Sequence, residues 1–351
     1  MPSSAIVDFE FTRRSDQMAI KNIQNVVIAG VTGNLGPAIL HALTTSGLFK
    51  VTVFTRPKAK DEAKIPSPSS TTAPIPVPVD ANGVPKSNIQ TVQVNYDSID
   101  NLTTHLAANS TDAVVSLLPH TAPEKQTNLI QAAVAAGVSR FIPSEFGSDL
   151  DNPVNRAAPA YKGKVAVQEL LKGLAAENKI SYTIMYNGAF LDWGLTHGFP
   201  IDISKRTAVL HDGGKRVYST TTQPTIGNAV VSVLARPEET KNRVVRIAEA
   251  NVTIKQLLSL VQEVIGDEGW TVTETNIDQE VEKAWTLIKQ GVFSFESMMP
   301  FIYRAGWGED AGGHFETTDN ILLGVDELDP EGVKRVIQGV ATRVRDEVLL
   351  G

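Results

Sequence analysis

A doubly wound α/β fold, with a mostly parallel sheet and a smaller C-terminal lobe, is what this sequence predicts, and three observations predict it. Short apolar runs alternate with segments of helical periodicity from Val26 to Tyr186. Three glycines spaced three apart, Gly30, Gly33 and Gly36 in "VVIAGVTGNLGPAIL", join the first apolar run to the first helical segment. The chain has 351 residues, 42% of them hydrophobic, enough for one large α/β domain with a smaller companion.

The elements follow in order. Val26 to Ala29 read as a buried strand, and Leu35, Ile39, Leu40 and Leu43 recur at helical spacing, with Pro37 in the first turn where its missing N–H costs nothing. Further strands are expected at Lys50–Thr55, Thr91–Val94, Ala113–Leu118, Ser139–Ser144 and Ser181–Tyr186, and helices near Ile99–Ala108, Glu124–Ala136 and Lys162–Glu177. Ile65 to Pro85 holds six prolines with Ser and Thr between them, so it reads as an extended surface insertion. After Tyr186, "NGAFLDWGLTHGFPID" reads as a loop and "KRVYSTTTQPT" as a short strand. Ile226–Ala235 reads as a helix and Arg243–Ala248 as a strand, and Thr253 with Gln256 forms a capping box for a helix through Ile265. Trp270 onward offers one strand and two or three amphipathic helices. The expected division is a tail over 1–22, a nucleotide-binding domain over 23–190 with the insertion at 65–85, and a substrate lobe over 191–351. Of that lobe, 222–248 is expected to return to the first domain.

Composition narrows the function. The formal net charge of -7 argues against nucleic-acid partners. No apolar run approaches a membrane span, and "MPSSAIVDFEFTRRSDQ" carries Asp8, Glu10 and Asp16 instead of the basic start of a secretory signal. The complete lack of cysteine removes disulfides, thiolate nucleophiles and Cys-ligated metals, and fits a reducing, cytoplasmic setting. The six histidines show no metal-ligand spacing, so no metal is expected. A monomer and a homodimer are both compatible with the sequence.

A glycine-rich turn from first strand to first helix lets backbone N–H groups approach a pyrophosphate at the positive helix end. The expected cofactor contacts are Gly30, Thr32, Gly33, Asn34, Leu35 and Gly36. The G-x-x-G-x-x-G spacing resembles that of the short-chain dehydrogenase/reductase superfamily. Near the end of the second strand, where an NAD site has an acidic residue for the ribose 2′-OH, stands Arg56, with Lys58 and Lys60 close by. Arg56 and Lys60 suit a 2′-phosphate, so the expected cofactor is NADPH, the alternative for Arg56 being a solvated surface residue.

Most members of that superfamily use a tyrosine and a lysine four residues apart on one helix face. The residues four beyond Tyr96, Tyr161, Tyr182, Tyr186, Tyr218 and Tyr303 are Asp100, Val165, Tyr186, Phe190, Thr222 and Trp307, so that pair is absent. The stretches "RFIPSEFG" (Arg140–Gly147), "YKGKVAVQELL" (Tyr161–Leu171) and "SYTIMYNGAF" (Ser181–Phe190) resemble the isoflavone-reductase-like (phenylpropanoid reductase) family, in the NmrA-like branch of atypical short-chain reductases. The resemblance is close from Val26 to Phe190, weaker through Ala248 and faint beyond. It implies a Rossmann-type fold and a single helix lysine, Lys162, as catalytic and cofactor-contacting residue, with Lys164 second in a K-x-K arrangement. Residues two apart point to different helix faces, so at most one of the two is expected to face the site. The resemblance also implies nicotinamide contacts from Phe190, Phe146 and the strand-end pair Leu117 and Leu118, where plant members carry smaller residues.

Three further residues are substrate candidates: His120 just past a strand end, Glu145, which either orients donors or holds the turn, and Trp193 in the second lobe. The implied activity is NADPH-dependent reduction of a small aromatic, phenolic or conjugated-carbonyl metabolite, with the lysine as general base. A dinucleotide-sensing regulator without turnover is the rival of a different class, and a sugar-nucleotide epimerase ranks below both because the Tyr/Lys pair is missing.

Overall fold

The computed structural model describes residues 22–57, 89–119 and 121–350. The N-terminal tail, the proline-rich insertion, Lys60 and His120 lie outside the described residues. The first half alternates as the apolar runs require: β1 (Asn25–Ala29), α1 (Gly36–Thr45), β2 (Lys50–Thr55), β3 (Ile89–Gln93), α2 (Ile99–Ala108) and β4 (Ala113–Ser116), then α3 (Pro123–Ala135) and β5 (Arg140–Ile142). Two short helical pieces, α4 (Pro153–Ala157) and a 3-10 turn over Pro159–Tyr161, lead into α5 (Lys162–Ala176) and β6 (Ser181–Tyr186).

The expected loop after Tyr186 is corrected by the structure. It contains β7 (Ala189–Phe190) and α6 (Leu191–His197), because Leu191 and Leu195, four apart, bury one face of a helical turn. Gly198, at φ 72°, closes that helix in the left-handed conformation. Then come β8 (Ile201–Asp202), β9 (Thr207–His211), β10 (Val217–Thr221), α7 (Gln223–Ala235), β11 (Arg243–Arg246) and β12 (Ala250–Thr253). α8 (Ile254–Ile265) starts at the expected capping box, with both reciprocal bonds between Thr253 and Gln256 present. The chain continues as β13 (Thr271–Thr275), α9 (Ile277–Lys289), α10 (Phe295–Trp307), α11 (Asn320–Leu323) and α12 (Pro330–Leu350).

Seven parallel strands form the main sheet in the order β11-β6-β5-β4-β1-β2-β3. Connections run one way from β1 and the other way from β4, so the order reverses between these two, which is where a crevice opens at the strands' C-terminal ends. The central strands β1, β4, β5 and β6 are buried on both faces, which is why their apolar runs are nearly continuous. Val26 and Ile28 of β1 join Ile39 and Leu43 of α1 and Val230 of α7 in one core layer. Val27 and Ala29 join Leu102 of α2, Leu129 of α3 and Leu171 of α5 in the other. Two small three-stranded sheets, β12-β10-β7 and β13-β9-β8, pack with α6, α8, α9, α10 and α12 around a third core that includes Trp307 and Phe301. The segment after β10 rejoins the first domain: α7 packs on α1, and β11 pairs with β6 at the end of the main sheet. No helix among the described residues is long and apolar enough to cross a membrane.

Arg140 anchors β5 from inside. Its guanidinium donates to the hydroxyls of Ser181 (2.8 Å), Thr183 (2.9 Å) and Thr240 (3.1 Å) and to the carbonyl of Pro237. Burial lowers its pKa to about 10, with Glu238 opposing the shift.

The α1–α7 crossing depends on Gly227. A Cβ there would lie 2.7 Å from the carbonyl oxygen of Ala38 and 3.0 Å from Cβ of Ala42. In a mid-helix position Gly→Ala ordinarily gains up to about 1 kcal/mol. Here Gly227→Ala should instead cost about 1–3 kcal/mol, because the helices must separate. Chemical denaturation checks the sign, and a more stable variant would contradict this account of the packing.

Candidate active site

The crevice at the reversal point is a cleft of about 1320 Å³, larger than the roughly 300–1,000 Å³ usual for a single small ligand. One wall is the glycine turn, residues 30–36, after β1. Phe54, Thr55, Arg56 and Pro57 follow from the end of β2, and Val94 to Asp97 from the end of β3. The opposite wall comes from Leu117, Leu118 and Pro119 after β4, the start of α3 with Lys125, Ser144 to Phe146 after β5, Lys164 of α5 and Phe190 of β7.

The three glycines do different work. Gly30 has φ 91°, and a Cβ on it would stand 2.5 Å from the carbonyl oxygen of Leu117, so β1 and β4 can run side by side to their ends only with glycine here. A Cβ on Gly36 would meet the Val31 carbonyl oxygen at 2.1 Å, so this glycine seats the turn on the helix. Gly33 carries no such backbone clash, its nearest neighbour being Gly30 O at 3.5 Å, and it lines the cleft. Backbone bonds from Gly33 N to Gly30 O and from Gly36 N to Gly33 O, both 3.1 Å, close the turn. α1 has no side-chain N-cap and no acidic residue in its first turn, which leaves its positive end unneutralised. Gln223 of α7 donates from Nε2 to the carbonyl of Asn34 at 2.7 Å, tying the returning segment to the turn.

Most of the residues singled out from the sequence converge here: Gly30, Thr32, Gly33, Asn34, Leu35, Gly36, Arg56, Leu117, Leu118, Phe146, Phe190 and Glu145 all line the cleft. Trp193 does not. It sits behind Phe190, edge to face at 6.4 Å between centroids, and stacks on His197 at 4.3 Å.

The lysine expectation needs correction. Lys162 is the first residue of α5, is exposed and does not line the cleft, whereas Lys164 does. The cause is helical phase. Val167, Gln168, Leu171 and Ala175 are the buried face of α5, and the same stripe extended back one turn reaches Lys164. Lys162 falls with Ala166 and Glu169 on the solvent side. That stripe was present in the sequence and would have selected Lys164. Lys125, Asn95 and Tyr96 are further cleft residues that carried no sequence signal.

Below Lys164 lies a buried polar group of side chains. Lys164 Nζ donates to the backbone carbonyl of Glu145, and Gln168 Nε2 donates to Glu145 Oε2 at 3.0 Å and reaches the Tyr186 hydroxyl at 3.0 Å. Arg156 donates to Gln168 Oε1 at 3.1 Å. Phe146, at φ 26°, turns the chain sharply after Glu145. Burial pushes the Glu145 carboxyl up, with Lys164, Gln168 and Arg156 opposing. Burial pushes Lys164 down, with the Glu145 charge opposing.

The fold and cleft define a Rossmann-type α/β protein with an open crevice at the strand reversal. The NmrA-like family profile matches residues 22–310, and the chain belongs to that family. A protein named oxidoreductase poxI, from Penicillium oxalicum, is 30% identical over 322 residues, covering 88% of this chain and 93% of that one. Phenylcoumaran benzylic ether reductase PT1 of Pinus taeda is 28% identical over 185 residues, 51% of this chain and 55% of that one. Among solved structures, the binary complex of leucoanthocyanidin reductase with NADPH from Vitis vinifera is similar with a TM-score of 0.67. That likeness is at 18% identity and covers 89% of this chain and 99% of that chain, so it bears on the fold alone.

Gly30→Ala tests the strand-end contact. It places a Cβ against a backbone carbonyl at a positive φ, so it should destabilise the protein by about 1–3 kcal/mol. A thermal unfolding midpoint equal to wild type would show that the two strand ends separate freely.

Proposed function

We propose that this protein is an NADPH-dependent reductase of a small aromatic, phenolic or conjugated-carbonyl metabolite, with Lys164 moving the substrate proton. The observation that carries the reading is that Lys164, the sole lysine of α5 in the cleft among the described residues, lies on the same crevice as the glycine turn. The oxidoreductase and reductase names of the relatives support the reaction class, and the name of the Pinus taeda relative supports an aromatic substrate.

The residues present fit a dinucleotide. The uncapped start of α1 and the clear face of Gly33 suit a pyrophosphate, and Arg56 at the end of β2 suits a 2′-phosphate. When bound, the nicotinamide supplies a hydride. The chain's own residues do the rest. Phe146, Phe190, Leu117 and Leu118 give the inner end of the cleft apolar walls that exclude water. Lys164 exchanges a proton with the oxygen of the substrate at Nζ, directly or through one water. A sensor that binds the dinucleotide without turnover has no use for a lysine held at that point, which weighs for the enzyme.

Two outcomes test this. NADPH should bind at least about tenfold more tightly than NADH, and Arg56→Asp should narrow or reverse the gap, since a charge-assisted hydrogen bond is worth about 1.5–3 kcal/mol. Equal wild-type affinities by calorimetry would remove NADPH from the proposal. On a substrate found by screening phenolic and carbonyl metabolites for NADPH oxidation, Lys164→Ala should lower kcat by about 10²–10⁴-fold with little change in cofactor affinity. Lys162→Ala should keep most activity, and a Lys164→Ala enzyme as fast as wild type would end the catalytic assignment.

A further inference from the structure

Among the described residues, Glu145 is the one carboxylate of the cleft whose side chain is walled in. Only 2% of the residue is exposed. Oε2 accepts from Gln168, while Oε1 is buried and accepts no hydrogen bond from the described residues. A buried carboxylate oxygen without a donor costs free energy unless a charge compensates it. A compensating positive charge comes from Lys164, whose Nζ is bonded to the backbone carbonyl of this same residue and whose charge opposes the upward push of burial on the carboxyl. Lys164 and Gln168 are four residues apart on α5, so a single helix face holds the carboxyl from two sides.

We propose that Glu145 is a positioning residue, a fixed buried negative charge that keeps Lys164 in its ammonium form against the cleft, so that Lys164 enters the reaction as proton donor. This rests on the reductase reading above and replaces the general base with a general acid. For a carbonyl acceptor the steps balance. Hydride adds to carbon, the C=O π pair moves to oxygen, and one N–H bond of the Lys164 ammonium breaks to protonate that oxygen. Lys164 is left as the amine and regains a proton from solvent, while Glu145 stays ionised throughout.

Two tyrosines, Arg156 and the ion pairs of Arg246 surround the pair. Tyr161 from the 3-10 turn and Tyr186 from β6 are both pushed up by burial and by the Glu145 charge, and so remain neutral phenols. Arg156 from α4 donates to Gln168 and pairs with Glu169. Asp149 and Asp151, beyond Tyr186, are paired with Arg246 of β11, whose guanidinium lies 5.6 Å from the Tyr186 ring centroid. Lys164 and Glu145 are left as the two groups whose charges depend on each other.

The test is an NMR titration of ¹³C-lysine-labelled protein without cofactor or substrate, with the Lys164 signal assigned by its loss in Lys164→Met. In the wild-type protein Lys164 should still carry its proton at neutral pH, and in Glu145→Gln its midpoint should fall by about 1–3 pH units, the usual effect of losing a nearby opposite charge. Glu145→Asp, which keeps the charge, should recover most of the shift. With substrate, the alkaline limb of the kcat profile should move to lower pH by the same amount in Glu145→Gln, while NADPH affinity holds. A wild-type midpoint near or below about pH 7, or one unmoved by Glu145→Gln, would overturn the proposal. Should Glu145→Gln fail to fold, the wild-type midpoint alone decides. The titration needs no turnover, so it stands apart from the Lys164→Ala assay on which the reductase reading depends.

Discussion

The cleft depends first on one close approach, between Gly30 and the carbonyl of Leu117, the residue just after β4. Parallel strands that stay paired to their ends must then part, because β1 feeds a helix on one face of the sheet and β4 feeds a helix on the other. The absence of a side chain at Gly30 lets the strands hold together until the final residue. The crevice therefore opens abruptly, with its two walls set by the sheet itself. Loops positioned in this way inherit the rigidity of the strands beneath them, which is what a site needs if it is to hold a reacting atom in place.

The second wall is held by α5 and by the turn at Glu145 and Phe146. Here the deciding quantity is angular. A rotation of two residues along a helix is about 200°, enough to exchange the solvent and the interior. Lys162 and Lys164 are chemically identical, and the phase of Val167, Leu171 and Ala175 alone decides which of them faces the crevice. The smaller lobe adds its own constraint, since α7 leaves it to lie on α1 and sends Gln223 to the carbonyl of Asn34.

Much of this was legible in the sequence. The alternation of apolar runs locates every strand of the first half within a few residues, because the strands are largely buried and mostly apolar, Arg140 of β5 being a buried exception. The glycine turn and Arg56 were legible because their spacing from strand ends follows from the fold. The α6 segment was missed, since Gly194 and Gly198 suggest a loop where the burial of Leu191 and Leu195 makes a helical turn. The motif points by position to Lys162, whereas the phase of α5 brings Lys164 to the cleft. The partners of Glu145 were not legible, for Gln168 and Tyr186 come from separate elements and meet only in three dimensions.

Arg140 has a consequence for how the molecule responds to salt. It ties β5 to β6 and to the segment at 237–240 through three hydroxyls and a carbonyl, none of which titrates. Arg246, which links β11 to the loop after β5, is held instead by the carboxylates of Asp149 and Asp151. Salt screens that ion pairing and leaves the inner tie, made to uncharged partners, whole. Of the two ties, the one at the sheet's β11 edge is therefore the one that salt loosens, while β5, which leads to Glu145, keeps its anchor.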